Sequence, residues 1–267
     1  MKIKPKFITQ LCLFIALPFT FCKNNTAEKQ PQSLQIAAET NNSTFNYLPS
    51  AGKNQIITHE FYTLSYVEQF EQAEWVAYEL MPNNSVNTHF QRPFFTEDEL
   101  VKTKSADWRN YKNSGFDKGH LCPAGDMSFS EKAYNDTFLT SNIAPQTHAF
   151  NSGIWNTLEQ KVRYWAQKYN GIYVVTGPVL SPNLKTIGKE KVAVPDFFYK
   201  VLLKKSSTET KMIAFLLPSN DSQKPLYQFV VTVDEVERLT GINFFSALPD
   251  HIENNLESNS SYKMWSF

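Results

Sequence analysis

The segment from Asp117 to Glu159 contains three ordered groups of residues around which the rest of the chain is organised. It opens with Asp117-Lys118-Gly119-His120-Leu121-Cys122-Pro123, continues with Ser141-Asn142-Ile143-Ala144-Pro145-Gln146, and ends with Asn151, Trp155, Leu158 and Glu159. The three groups lie within one short part of a 267-residue chain, which is long enough for one large domain. This concentration of imidazole, amide and carboxylate groups makes the stretch the first candidate for a functional site.

These residue types are the ones that phosphodiester hydrolysis needs. The reaction requires a base for water, a hard cation for the phosphoryl oxygens, and cationic donors for the phosphate. His120 can be the base, because an imidazole has an ordinary pKa of about 6.5. Asn151 and Glu159 offer oxygen atoms, which suit Mg²⁺, Ca²⁺ or Mn²⁺. The stretch therefore predicts a single-metal phosphodiesterase site.

The segment from residue 151 to residue 169 has a helical spacing of apolar residues, at positions 154, 155, 158, 162, 165 and 169. Asn151, Trp155, Glu159 and Arg163 follow one another at intervals of four, so a helix would present them along one stripe. Taken alone, Asn151 would be a helix cap and Glu159 a solvated surface residue. Trp155 is interpreted as a core residue rather than a platform for substrate stacking.

The whole series resembles the DNA/RNA non-specific endonucleases of the ββα-metal fold, a group that includes secreted bacterial nucleases and the mitochondrial endonuclease G type. The resemblance covers roughly residues 56–250. It extends to four further segments: Tyr62-Thr63-Leu64-Ser65-Tyr66, Trp75-Val76-Ala77-Tyr78, Thr176-Gly177-Pro178-Val179 and Glu237-Arg238-Leu239-Thr240-Gly241. It implies an α+β fold, with a central, largely antiparallel sheet, a ββα-metal catalytic unit and flanking helices.

The resemblance also implies roles for the residues in the stretch. His120 corresponds to the general base, and Asn151 to the direct ligand of Mg²⁺, for which Mn²⁺ or Ca²⁺ could substitute. Glu159 corresponds to a catalytic carboxylate that holds the metal through water. Asn142, grouped with the catalytic residues, matches a position that supports the site.

Three basic residues are predicted to bind the substrate. Arg92 and Arg163 match phosphate-facing arginines of the family, although Arg92 on its weaker local match could equally be a surface residue. Lys118 stands where many relatives have arginine. The two are not equivalent, because arginine offers a planar fork of donors and lysine a point charge.

Changes in residue composition along the chain predict four regions. Residues 1–22 have the form of a signal peptide, with Lys2, Lys4 and Lys6 before a short apolar run that ends at Cys22. Residues 23–55 are polar and are expected to form a flexible tether, residues 56–250 the endonuclease domain, and residues 251–267 a C-terminal tail.

The signal predicts export in a bacterium with two membranes, to the periplasm, the outer membrane or the medium. Cys22 is either the site of a lipid anchor or an incidental residue of an ordinary signal peptide. The sequence indicates no protein partner and no oligomeric state.

Cysteine usage and charge restrict the chemistry further. Cys122 is the one cysteine outside the signal, which excludes an internal disulfide and makes a zinc site unfavourable. Cys122 is expected to be a small buried residue. The chain has 26 basic and 26 acidic residues, and without the three signal lysines the balance is 23 to 26, a net charge of −3. Phosphate binding must therefore depend on a local basic patch and on the metal. The other candidates for that patch, all of which also serve solubility, are Lys102, Lys104, Arg109 and Lys112.

Local patterns predict the remaining elements. Strands are expected at 56–57, 61–67, 74–80, 172–175, 197–203 and 212–217, with a turn at Gly177-Pro178 after the fourth. Capping-box patterns predict a short helix or turn from Thr96, a helix near 130–135 preceded by Ser128, and a helix over 232–239 that closes at Gly241.

Two classes of function are compatible with these patterns. The first is an exported or tethered, metal-dependent endonuclease that cleaves DNA and RNA with little sequence specificity. The second is a catalytically inactive exported surface protein that binds nucleic acid or another polyanion on a nuclease scaffold. The joint presence of His120, Asn151 and Glu159 favours the enzyme, because a binding protein needs no base.

Overall fold

Seven antiparallel strands form the central sheet of the computed structural model, which describes residues 45–50, 53–84 and 89–267. In spatial order they are β1 (Gln55–Thr58), β2 (Thr63–Val67), β3 (Gln72–Leu80), β6 (Ile172–Pro178), β9 (Phe197–Lys205), β10 (Thr210–Pro218) and β11 (Val230–Val231). Each neighbouring pair is antiparallel. The predicted α+β fold with a central antiparallel sheet is confirmed. The predicted signal, Cys22 and the tether up to residue 44 lie outside the described residues.

The sheet separates two apolar cores, because successive side chains of a strand point to opposite faces. In β3, Val76 and Tyr78 belong to the core on one face, while Trp75 and Ala77 belong to the core on the other. The first core is covered by the long helix α3 (Asn156–Tyr169) and the second by α4 (Val233–Thr240). The same alternation in β9 turns Lys200 towards the face covered by α3.

A second pair of strands and the helix after it form the ββα unit that the family resemblance implies. Strand β4 (Asp117–His120) pairs antiparallel with β5 (Ile143–Gln146). The chain then enters a helical run composed of α2 (His148–Phe150), a π-helical turn (Asn151–Trp155) and α3. A small hairpin of β7 (Lys185–Ile187) and β8 (Val192–Val194) contributes Ile187 and Val192 to a third core beside this unit.

The predicted caps are confirmed for α4 and wrong for α1 (Glu131–Asp136). Thr232 Oγ1 accepts a hydrogen bond of 3.1 Å from the Glu235 amide at the start of α4, and Gly241 ends it with φ of 71°. The short helix α1 is present, but Ser130 rather than Ser128 caps it. Thr96 itself forms an isolated bridge with Leu139, and a turn follows in which the amide of Val101 donates a hydrogen bond to the carbonyl of Asp98. Among the described helices, none is long and apolar enough to cross a membrane.

The predicted turn at Gly177-Pro178 is wrong, because β6 continues through both residues. They pair with Tyr199 and Phe198 of β9. A Cβ atom on Gly177 would lie 2.2 Å from the carbonyl oxygen of Glu74, so glycine serves here to bring two backbones together. A glycine-proline pair is typical of a turn, and only the close approach of β3 reveals the other use.

Described elements and packing contacts continue beyond residues 56–250 on both sides. Residues 251–267, predicted to be a tail, include most of α5 (Asp250–Glu257), and Trp265 is 3% exposed. Its ring centroid lies 5.0 Å from that of Trp165 on α3. At the other end, Tyr47 stacks on Tyr173 of β6 at 4.9 Å. Both segments are polar in composition, and a few aromatic residues fix each of them to the sheet or to α3.

Candidate active site

Five of the predicted site residues line one cavity of about 330 Å³ beside the ββα unit: Arg92, His120, Asn151, Glu159 and Arg163. They come from a loop, from the end of β4 and from the helical run. Elements that are separated by up to 71 positions in sequence, from 92 to 163, thus present a base, an amide, a carboxylate and two guanidinium groups to the same space.

His120 is the last residue of β4, and its ring lies among aromatic side chains. The ring meets Phe138 edge-on at 4.9 Å and Phe95 at 5.6 Å, and Nε2 is buried without a hydrogen-bond partner. Burial and the charge of Arg92 together lower the pKa of His120 to about 3. The imidazole is therefore neutral and able to accept a proton throughout the neutral range. A phosphate that offsets the charge of Arg92 would raise this pKa and make the base stronger.

Asn151 is held by a carboxylate of the neighbouring strand. Its Nδ2 donates a hydrogen bond of 3.0 Å to Oδ2 of Asp117, which also lies 2.9 Å from Nδ1 of His148. Partial burial opposes ionisation of Asp117, but these two partners hold its pKa below the usual value. Since the amide nitrogen is engaged by Asp117, the amide oxygen is left as the acceptor available to a cation.

Asn151 is not the N-terminal cap of the helical run. Thr147 caps α2 by accepting a hydrogen bond from the amide of Phe150, and the helical run has already begun when the chain reaches Asn151. The ordinary explanation of a helix-start asparagine therefore does not apply to this residue.

The predicted stripe of residues at intervals of four is partly wrong, because the first turn is π-helical. Gly153 leaves the helical conformation, with φ of −95° and ψ of −112°. A π turn closes over five residues rather than four, so Asn156 joins Asn151 at the cavity and Trp155 turns into the core. There Trp155 packs against Phe198, with ring centroids 5.6 Å apart. The core interpretation of Trp155 is confirmed.

Glu159 is the acidic group of the cavity. Burial raises its pKa to about 7, against the attraction of Lys200. Lys200 is fully buried, donates a hydrogen bond of 3.0 Å to the hydroxyl of Thr176, and lies 4.3 Å above the ring of Trp155. Burial in turn lowers the pKa of Lys200, and Glu159 opposes that change. A cation bound at the cavity would favour the carboxylate form of Glu159.

The two arginines lie at the cavity in different ways. Arg163 forms an ion pair of 2.7 Å with the buried carboxylate of Asp126, which also accepts a hydrogen bond of 2.7 Å from the hydroxyl of Tyr78. This pair fixes the guanidinium and still leaves several of its N–H groups for a phosphate oxygen. Arg92 is exposed and stacks 5.4 Å from the ring of Phe138.

Two of the predicted residues do not line the cavity. Lys118 places its Nζ atom 5.2 Å from the ring centroid of Phe95 and 5.8 Å from that of Tyr111. Asn142 is fully buried, and its side chain binds the backbone of Cys122 on both sides, at 2.8 and 2.9 Å, and the carbonyl of Thr137. Asn142 therefore shapes the chain after His120 instead of touching a substrate.

The sequence analysis assigned no role to Asn156, which lines the cavity, or to three residues that interact with the lining residues. Asp117 and Asp126 stand within the motifs of the stretch without a role assigned from the sequence, and their contacts to Asn151 and Arg163 become visible only in the structure. Lys200 interrupts the apolar run of β9, and a lysine in such a strand is a signal that could have been used.

The donor atoms at the cavity fit a hard cation. The amide oxygen of Asn151 and the carboxylate of Glu159 are oxygen ligands, and Mg²⁺ commonly takes few protein ligands and keeps several waters. Cys122 is buried, and burial raises the pKa of its thiol well above the usual value, so it offers no thiolate to zinc.

Comparisons with known proteins agree with this arrangement. The family model described as DNA/RNA non-specific endonuclease matches residues 39–251. The human protein named "Endonuclease G, mitochondrial" is 35% identical over 208 residues, which are 72% of this chain and 70% of that protein. The Danio rerio protein named "Nuclease EXOG, mitochondrial" is 34% identical over 221 residues, which are 75% of this chain and 63% of that protein. A solved structure of the EndoG/EndoGI complex superposes with a TM-score of 0.69 at 30% identity, over 74% of this chain and 89% of that one.

Proposed function

We propose, from the premise that this chain belongs to the DNA/RNA non-specific endonuclease family, that it is a Mg²⁺-dependent endonuclease which hydrolyses DNA and RNA with little sequence preference. The family consists of hydrolases that are typically metal-dependent, and nucleic acids are the substrates that membership implies. One observation supports the proposal above all: His120, Asn151, Glu159 and two arginines line a single cavity.

The arginines bind and orient the substrate in this proposal. Arg163, fixed by Asp126, and the exposed Arg92 direct guanidinium groups at a phosphate in the cavity. The scissile phosphate thereby comes to lie beside His120. Contacts of this kind go to the backbone of the nucleic acid and do not distinguish bases.

His120 removes the proton from the attacking water. Its imidazole is neutral, because its pKa is depressed to about 3, and the phosphate bound by Arg92 raises its basicity when the substrate is in place. Phe138 and Phe95 hold the ring on two sides, which restricts the orientation of its nitrogen atoms.

Asn151 would hold the metal directly, and Glu159 would hold it through water. Asp117 keeps the amide of Asn151 in the orientation that presents oxygen, and Asn142 supports the backbone next to His120. When bound, Mg²⁺ neutralises charge on the phosphoryl oxygens and the departing oxygen. Mn²⁺ and Ca²⁺ are the expected substitutes, since they accept the same oxygen ligands.

A plasmid-nicking assay tests the proposal against the alternative of an inactive polyanion-binding protein. Purified protein should convert supercoiled plasmid to nicked and linear forms with Mg²⁺, and EDTA should stop the reaction. Cleavage should be spread over many sequences and should weaken as salt rises, because phosphate binding releases counterions. Binding without cleavage at any Mg²⁺ concentration would establish the alternative, and one sharp cut site would exclude non-specific cleavage.

We also propose export and, at Cys22, a lipid anchor, from the apolar run that ends at this residue and the polar segment after it. Mass spectrometry of the mature N-terminus tests both parts. A mature chain that begins at Cys22 with added lipid mass supports the anchor. A terminus at another nearby residue without lipid supports export alone.

A further inference from the structure

Four carboxylates gather between α4 and α5, on the sheet face opposite α3. Asp234, Glu237 and Glu257 each place one carboxylate oxygen so that these atoms lie within 4.8 Å of one another. Glu253 is close enough to add to the electrostatic repulsion at both glutamates. None of the four lines the catalytic cavity. Such a concentration of negative charge needs an explanation of its own.

The second observation is that two buried oxygen atoms of this group have no partner, although the carboxyl groups of Glu257 and Glu237 are hydrogen-bonded to each other. Glu257 is 5% exposed, and its Oε1 is buried without a hydrogen bond, as is Oε1 of Glu253. Leaving such an atom unpaired costs about 1–3 kcal/mol, and more when the group is charged. Of the ion pairs formed by the described residues, none involves these four carboxylates. No side-chain cation therefore balances them.

We propose that Asp234, Glu237 and Glu257 form a structural Ca²⁺ site, which joins α4 to α5 independently of the catalytic metal. Calcium ions bind six to eight oxygen atoms at about 2.3–2.6 Å, so two of their ligands can lie up to about 5 Å apart. The observed limit of 4.8 Å falls within that span. Mg²⁺ fits less well, because it keeps most of its waters instead of accepting several carboxylates.

The surroundings suit a structural role. Glu237 Oε1 already accepts a hydrogen bond of 2.9 Å from the amide of Phe244, which fixes its position. Asp234 is exposed, so the ion can enter from solvent and retain water on that side.

The test is a thermal-unfolding titration with CaCl₂ at a pH of about 8, after removal of metals by chelation. With a Kd of about 10⁻⁴ M, a concentration of about 10 mM should raise the Tm of the parent by roughly 5–10 °C. The double variant Asp234→Asn/Glu257→Gln should lose this rise. Glu235→Gln, on the same turn of α4, is the matched control and should keep it.

A catalytic-site variant separates the two metals. Asn151→Ala should keep the rise in Tm with Ca²⁺, and calorimetry on this variant should detect one class of Ca²⁺ site that the two acidic substitutions abolish. The double variant should keep Mg²⁺-dependent nuclease activity. In the absence of Ca²⁺ its Tm should equal or exceed that of the parent, because charge repulsion is removed; this result excludes misfolding as the cause of the lost response.

Three results would overturn the proposal. The first is a parent Tm that does not change with Ca²⁺ up to about 10 mM, a concentration well above the Kd expected for such a site. The second is a rise that survives in the double variant, and the third is a rise that disappears in Asn151→Ala. If the double variant has a lowered Tm without Ca²⁺, the single variant Asp234→Asn, at an exposed position, becomes the test. Its Tm should respond to Ca²⁺ at least tenfold more weakly than that of the parent. An unchanged response would contradict the site.

Discussion

Replacement of Asp117 by Ala tests how the structure orients the proposed metal ligand. The carboxylate of Asp117 accepts hydrogen bonds from Nδ2 of Asn151 at 3.0 Å and from Nδ1 of His148 at 2.9 Å. Without the first of these bonds, the amide of Asn151 can rotate and present nitrogen instead of oxygen. The variant should therefore bind Mg²⁺ more weakly while it keeps its base, His120.

The size of the effect follows from one charge-assisted hydrogen bond. Such a bond contributes about 1.5–3 kcal/mol, and the Asp117 side chain is 34% exposed, so screening by solvent favours the lower end. About 1.5 kcal/mol corresponds to roughly a tenfold change, which lies at the lower end of the about 10- to 100-fold losses found when an outer partner of a metal ligand is removed.

The assay is the initial rate of plasmid nicking as a function of Mg²⁺ concentration. Asp117→Ala should shift the half-activating concentration upward about tenfold and recover near-parental turnover at saturating Mg²⁺. Asp117→Asn should shift it less, because its carbonyl oxygen can still accept the bond. His148→Ala removes the other partner, which is 81% exposed, and should have little effect. An unchanged half-activating concentration for Asp117→Ala, in a variant with parental Tm, would refute the reasoning.

Three further predictions follow from the same structure. His120→Ala should lower turnover by about 10²- to 10⁴-fold and leave DNA binding and Mg²⁺ activation unchanged, and near-normal turnover in single-turnover kinetics would remove its role as base. At limiting Mg²⁺, activity should rise with pH up to about 7, because Glu159 acts as a carboxylate and its pKa is about 7. His120 stays neutral over this range. The variant Glu159→Gln should lose this rising limb of the pH–rate profile. Trp265→Ala should lower the free energy of unfolding by about 3 kcal/mol in urea, since the ring is 3% exposed and packs on Trp165; a change below about 1 kcal/mol would show that this terminus adds little to the core.

Local sequence patterns predict an element correctly where the residues that stabilise it lie within or next to it. Thr232 marks the start of α4 and Gly241 its end, because an N-terminal cap and a left-handed glycine each act within a few residues of the helix. The same holds for β2 and β3, whose β-branched and aromatic residues are typical of strands. The family resemblance added the residues that line the cavity, because their order along the chain is distinctive.

Local signals failed where a distant segment decides the outcome. Gly177 was interpreted as part of a turn, and its use is set by the backbone of Glu74 about a hundred residues earlier. Residues 251–267 were interpreted as a tail because their composition is polar, yet one tryptophan places the segment against α3. The stripe from Asn151 to Arg163 was drawn on an ideal helix, and the π turn at Gly153 moved one of its members into the core.

The sequence alone was enough to indicate a class of chemistry, because its ordered motifs contain an imidazole, an amide oxygen and a carboxylate, the residue types that the proposed hydrolysis uses. How each group is held became visible only in the fold, with Asp117 on Asn151, Asp126 on Arg163 and Lys200 near Glu159. The reason is physical. A side chain's chemistry belongs to its own atoms, whereas its orientation and pKa depend on neighbours that the fold brings together from distant parts of the chain.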